Sequence, residues 1–167
     1  MRILGIDPGY AIIGWGVIDC VANKYRVCGY GAITTEAHTD FSERLAKIYT
    51  DLNEIITHFK PDVMSIEKLF FNDNAKTAID VAQARGVIIL SAKQNGLEIA
   101  EYTPLQVKQA VTGYGRAEKN QVQEMTKMML KLSEIPKPDD TADALALAVT
   151  HGTAGDSRLG KILKQYK

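Results

Sequence analysis

The opening stretch Met1-Arg2-Ile3-Leu4-Gly5-Ile6-Asp7-Pro8-Gly9-Tyr10-Ala11-Ile12-Ile13-Gly14-Trp15-Gly16 decides how the rest of the chain can fold. Arg2 to Ile6 is a short, mostly apolar run of the kind that fills the centre of a sheet, and it ends on a carboxylate. Pro8 has no ladder donor and Gly9 tolerates positive φ. The chain therefore turns, and a second strand, Ile12 to Asp19, returns beside the first. Asp7 stands where a buried strand opens to solvent. Alone it could equally close an Asx-type turn on the Pro-Gly backbone. What tips the balance is how many other carboxylates the chain places at comparable points.

Working outward, Val21 to Lys24 is turn-like and Tyr25 to Thr34 makes a third, antiparallel strand. Gly14, Gly16, Gly29 and Gly31 thin out the side chains there, which points to bulges or to close approach of another backbone or a ligand. From Asp40 to Phe59 the apolar residues recur three and four apart (Phe41, Leu45, Ile48, Tyr49, Leu52, Ile55, Ile56, Phe59), the pattern of an amphipathic helix covering one sheet face. Lys60-Pro61-Asp62 ends it, and Val63 to Glu67 is a short strand parallel to the first after the helical crossover. Glu67 and Asp7 then face the crevice where functional groups of open α/β sheets collect, at the carboxyl ends of parallel strands.

Beyond Lys68 to Asn74, which reads as a loop with Phe70 and Phe71 in it, Ala75 to Gln94 forms a helix. Its stripe of Ala78, Ala82, Gly86 and Ile89 suits packing on the sheet or on a second subunit. Leu97 to Tyr102 is the last strand, and Pro104 opens a short helix to Val111. Thr112 to Asn120 is a glycine-rich loop with basic groups. It leads into a helix with Val122, Met125, Met129 and Leu132 on one face. Asp139 begins the final helix, small and apolar from Ala144 to Val149, and His151-Gly152 is expected to end it. The expectation is an α/β fold with a five-stranded mixed sheet flanked by helices: one domain over 1–155 and a basic tail over 156–167.

A chain of 167 residues suits a single core, and 46% apolar with 24% charged residues is ordinary for a globular protein. No apolar run approaches a membrane span and no signal-peptide pattern is present, so no membrane partner and a cytoplasmic location are expected. Cys20 and Cys28 lack metal-binding spacing and read as reduced thiols. A net charge of +0 argues against coating nucleic acid by bulk electrostatics, yet base collects late. Pro104 to Leu132 carries five Lys/Arg against two acids, and His151 to Lys167 four against one. A solvated helix face and a charged tail account for this as readily as a binding surface does.

Asp140 and Asp143 are three apart on a helix and share a face. Acids at a helix N-terminus cap free amides and complement the dipole, which suffices for Asp139 or Asp140. Asp143 lies further in, within an apolar turn where an unpaired charge is costly. Asp7, Glu67, Asp140 and Asp143 converging on one crevice would repel by up to roughly 4 kcal/mol per pair at about 4 Å. Raised pKa values could relieve that, but hard divalent cations do so better, and an all-oxygen set selects Mg²⁺ or Mn²⁺ over zinc. Two such ions about 3.5–4 Å apart would activate a water and stabilise the leaving oxygen in attack on a phosphodiester.

Gly5 to Gly9, Ile66 to Phe71, Thr103 to Gly115 and Asp140 to Leu145 resemble, in order and over nearly the whole chain, the motifs of the RuvC Holliday junction resolvases. The resemblance implies a ribonuclease H-like fold, a homodimer, and symmetric paired nicks across four-way junction DNA. It also implies a RuvA-RuvB branch-migration complex as partner. It assigns Asp7, Glu67, Asp140 and Asp143 as metal ligands, Phe70 as the aromatic that stacks at the opened junction centre, and Lys108 and Lys119 as backbone contacts near the cut. Phe71 and Arg116 join these as candidate DNA contacts, although two aromatics after a strand are also common core residues. The family often has a second lysine after Lys119; Asn120 stands there, and a slightly shallower salt dependence is expected.

Three other readings compete. A nuclease of the YqgF type acting on RNA shares the opening strand and turn. An actin-like ATPase also cradles phosphate on an Asp-x-Gly turn, but needs two such lobes and a longer chain. A non-catalytic junction binder would leave clustered acids facing DNA phosphates without a purpose.

Overall fold

In the computed structural model, which describes residues 1–22, 24–69 and 75–156, Arg2–Asp7 forms the central strand β1. Ile3, Leu4 and Ile6 are completely buried because helices cover both faces of the sheet. β2 (Ile12–Val21) and β3 (Lys24–Thr34) follow as an antiparallel pair, then α1 (Phe41–Phe59), β4 (Val63–Glu67), α2 (Ala75–Gln94) and β5 (Glu98–Tyr102). α3 (Pro104–Thr112), α4 (Lys119–Leu130) and α5 (Asp139–Asp156) complete the described chain. The sheet has five strands in the order β3-β2-β1-β4-β5, with β4 parallel to β1 and β5 parallel to β4. This is the expected mixed sheet flanked by helices. Among the described residues, no helix is long and apolar enough to cross a membrane.

The two faces are built differently. Leu4, Ile6, Ile13 and Val17 meet α1 and α2 through Ile48, Leu52, Ile56, Ala84 and Ile88. The other face is nearly bare of side chains at Gly5, Gly14 and Gly16, and α5 settles directly onto it. A Cβ on Gly5 would run into the Ala144 carbonyl oxygen, one on Gly14 into that of Asp140, and one on Gly16 would come within 2.5 Å of Leu145 Cδ2. The glycines of the first hairpin thus admit another backbone, as expected. A register shift at Val17/Ile18 supplies the bulge. Ser65 on β4 pins the helix further by donating to the Leu147 carbonyl at 2.7 Å. From Ala144 to Val149 every α5 residue is buried, and the small side chains let the helix sit that low.

Several element boundaries differ from expectation. α5 does not end at His151-Gly152 but continues to Asp156. Gly152 is buried and serves packing: a Cβ there would meet Tyr25 Cε1 at 2.7 Å and Cys20 Sγ at 3.1 Å. α2 turns Ala84, Ile88, Ser91 and Ala92 to the core, so of the two places open to the stripe through Gly86 the sheet is not the one, and Gly86 itself faces open space. α4 starts at Lys119, inside the expected loop, because the Glu118 N–H donates to Gln121 Oε1 at 2.8 Å and caps the first turn. Phe70, Phe71 and residues 157–167 of the expected tail lie outside the described residues.

Replacing Gly14 by Ala tests the contact on which α5 depends. Gly14→Ala forces a methyl into the Asp140 backbone and should lower the unfolding free energy by about 1–3 kcal/mol in urea titrations. An unchanged midpoint and slope would show that the helix does not bear on the sheet there.

Candidate active site

Asp7 ends β1 and Glu67 ends the neighbouring parallel strand β4, where Ile6 and Ile66 are paired one residue earlier. Both carboxylates therefore leave the sheet at the same edge. α5 adds Asp140 and Asp143 from its first turns, held over that edge by the close passage of Asp140 against Gly14. The charges of the other three acids all reach Asp7. Burial, then the charges of Asp143, Glu67 and Asp140, push the Asp7 carboxyl up to about 7, with Lys119 pulling the other way. Glu67 is raised as well, by burial first and then by Asp143, again against Lys119.

Lys119, at the start of α4, supplies the positive charge. Its Nζ lies 2.8 Å from Asp143 Oδ2 and 3.7 Å from Asp139 Oδ2, and the bond to Asp143 holds the ammonium above its ordinary pKa. Asp139 itself faces outward to Lys137 Nζ at 3.0 Å, which lowers its pKa, so it stands apart from the crevice group. A cavity of about 200 Å³ joins Glu67 and Asp143 to Lys108 and Lys119, floored by Val107 and Val122. A larger groove of about 820 Å³ runs beside Trp15, Tyr49 and Phe59, away from the acid cluster, and Glu54 is the one carboxylate on its walls.

Lys108 is half-buried and lines the cavity, whereas Arg116 is exposed on the loop joining α3 to α4 and does not. That loop is held by Gly113 at φ 75°, by Gln109 Nε2 donating to the Gly113 carbonyl at 2.9 Å, and by the Tyr114 N–H donating to Thr112 Oγ1 at 3.1 Å. Two further side chains that the sequence reading did not single out touch the cluster. Gln123 Nε2 lies 3.4 Å from Asp143 Oδ1, and Arg85 Nε lies 3.4 Å from the Glu67 carbonyl while its other end pairs with Glu101 at 2.5 Å. The i,i+4 spacing of Lys119 and Gln123 could have flagged the first. Arg85 approaches from α2 and leaves no local signal.

Among the described residues, no three acidic side chains close into a ready-made ligand cage. The donors nonetheless fit a hard divalent cation: they are all carboxylate oxygens, they are partly buried, and burial together with mutual repulsion drives Asp7 toward protonation.

A family model described as crossover junction endodeoxyribonuclease RuvC matches residues 3–151. A protein of that description from Halothermothrix orenii is 58% identical over 154 residues, covering 92% of this chain and 93% of its own. One from Ruminiclostridium cellulolyticum is 56% identical over 163 residues, covering 98% and 97%. Among solved structures, RuvC of T. thermophilus in complex with a Holliday junction substrate superposes with a TM-score of 0.86 at 32% identity, covering 96% of this chain and 97% of that one. The sheet and its helices are thus the ribonuclease H-like arrangement.

The raised carboxyls make stability depend on pH in a definite direction. Asp7 binds its proton more tightly folded (about 7) than unfolded (about 4), so the folded state holds the extra proton between those values. Without divalent cations, the contribution of this group to stability should therefore be fully present only below about pH 4. It should then decline by up to about 1.4 kcal/mol per unit toward pH 7 and level off above. Asp7→Asn should flatten this decline in chemical denaturation at pH 5, 6, 7 and 8; parallel curves for the two proteins would mean that Asp7 is not the group strained by its neighbours.

Proposed function

The chain belongs to the RuvC family of crossover junction endodeoxyribonucleases, and from this we propose that it resolves four-way DNA junctions by symmetric paired nicks in recombination and repair. The observation that supports this reading best is the pressing together of Asp7, Glu67, Asp140 and Asp143, from β1, β4 and α5, around one lysine. Family membership implies a divalent metal. We assign it as Mg²⁺, with Mn²⁺ able to substitute, two ions per site held by these four acids. When bound, such ions supply a nucleophilic water near neutral pH and neutralise charge on the leaving oxygen.

The protein's own side chains do the rest. β1 and β4 hold Asp7 and Glu67 on rigid backbone, and the glycine seat of α5 fixes Asp140 and Asp143 against them, so little reordering is needed when a strand arrives. Lys119, with 57% of its side chain exposed, is free to move its charge from Asp143 to a phosphate of the cut strand. Lys108, on the cavity wall, meets the backbone nearby, and Arg116 extends the basic rim. Phe70, with Phe71, is assigned to stacking at the opened centre of the junction.

Paired cuts require two such sites, so the working form is a homodimer. The outer face of α2, with Ile79 66% and Leu90 52% exposed, suits a second copy. A RuvA-RuvB branch-migration complex is the partner that goes with this role, and the cytoplasm the compartment. Residues 1–155 constitute the nuclease domain and 156–167 a basic tail.

Asp7→Asn should bind a four-way junction as wild type does, because it removes no basic contact, while cutting falls by about 10³-fold or more, the scale of losing several kcal/mol of charge stabilisation. Wild-type cutting by the purified variant would place the chemistry elsewhere, and faster cutting of structured RNA than of four-way DNA would favour the RNA-directed reading. Lys108→Gln should weaken junction binding and reduce the log–log salt slope by about 1. An unchanged slope would remove Lys108 from the DNA path.

A further inference from the structure

Both carboxylate oxygens of Asp143 are met by the same helix, α4: Oδ2 by Lys119 Nζ at 2.8 Å and Oδ1 by Gln123 Nε2 at 3.4 Å. The two partners are four residues apart and so share a helix face. They are not equivalent. Lys119 is largely exposed, and its strongly hydrated ammonium can exchange Asp143 for another anion at little cost. Gln123 is 7% exposed and belongs to the buried side of α4 with Val122, Thr126 and Leu130.

Within that buried set Val122 and Leu130 are apolar, and the Thr126 hydroxyl is satisfied inside the helix by the Val122 carbonyl at 2.8 Å. Gln123 alone directs its polarity to another element. A buried primary amide lowers stability unless its groups are bonded, and an unbranched apolar side chain would fill the same space without that cost. What the amide provides and a thioether or methylene chain cannot is a hydrogen bond that fixes the rotation of the Asp143 carboxylate, whose terminal torsion is otherwise broad.

We propose that Gln123 is a positioning residue: it holds Oδ1 of Asp143 so that Oδ2 is presented to the crevice shared with Asp7 and Glu67, and Lys119 is the exchangeable partner that yields Oδ2 to a divalent cation. The inference rests on the reading of Asp143 as a metal ligand. Hydrogen bonds of this outer kind typically govern metal affinity by about 10- to 100-fold, because a carboxylate left free to rotate must be ordered each time an ion binds. Gln123 is buried behind Asp143, so it should have no part in gripping DNA.

The test is Mn²⁺ binding to the full chain without DNA, read from the electron paramagnetic resonance of free Mn²⁺, for wild type, Gln123→Met, Gln123→Asn and Asp143→Asn. Gln123→Met removes the donor while keeping an unbranched chain of the same length, and Gln123→Asn withdraws it by one methylene. Both should bind Mn²⁺ about 10- to 100-fold more weakly, keep wild-type junction affinity in chelator, and recover cutting at saturating Mn²⁺. A merely structural glutamine would change the melting temperature and leave Mn²⁺ affinity alone, and that result in folded Gln123→Met overturns the proposal. Should that variant not fold, the same result in Gln123→Asn does so. Loss of Mn²⁺ affinity in Asp143→Asn but not in either Gln123 variant overturns the positioning role alone. Undiminished affinity in Asp143→Asn overturns the ligand assignment and this inference with it.

Discussion

Negative charge gathered at the upper edge of the sheet is the constraint around which the molecule is arranged. A carboxylate at the end of a buried strand is costly by itself, and adding Glu67, Asp140 and Asp143 makes Asp7 costlier still, enough to bring its pKa up to about 7. No choice of core side chains favours that cluster; it persists because the backbone leaves the acids nowhere else to go. β1 and β4 run parallel and end together. α5 lies directly on the sheet, because its carbonyls occupy the space that side chains at Gly5 and Gly14 would otherwise fill. Ser65 and the small residues from Ala144 to Val149 hold it down. The stability lost at the acids is offset across the two apolar clusters on either side of the sheet.

Such an arrangement keeps the site ready for positive charge. Lys119 meets part of the need and stays near the surface, where it can serve an arriving phosphate instead. α4 is therefore more than a cover for the third layer. One turn of it carries both an exposed cation and a buried amide, each bonded to the same aspartate, so the helix that packs the core also supplies both side-chain partners of Asp143.

Much of this is legible in the amino-acid sequence alone. The apolar run that stops at Asp7, the Pro-Gly turn, the helical crossover and the short strand ending at Glu67 have local signatures, and together they imply parallel strands with their acids side by side. The hairpin glycines announce a close approach without saying by what. The features that a linear reading misses are set by long-range packing. Gly152 has the look of a helix stop but is a contact for Tyr25 and Cys20, so α5 runs on to Asp156. α2 has apolar residues all round and little preference for a face, so the stripe through Gly86 is as plausible as the buried one through Ala84 and Ile88. Gln123 and Arg85 reach the cluster from other elements, and no spacing between an α2 arginine and a β4 carbonyl encodes that meeting.

The central claim is that acids from three separate elements meet in order to hold divalent cations against a DNA strand. Diffraction from crystals of the chain with a four-way junction and Mn²⁺, recorded at the manganese absorption edge, addresses it directly. The account predicts anomalous peaks bonded by carboxylate oxygens of Asp7, Glu67 and the α5 pair, with a junction phosphate as a shared ligand. Peaks confined to other surfaces, with the four carboxylates turned away from one another beside bound DNA, would contradict it.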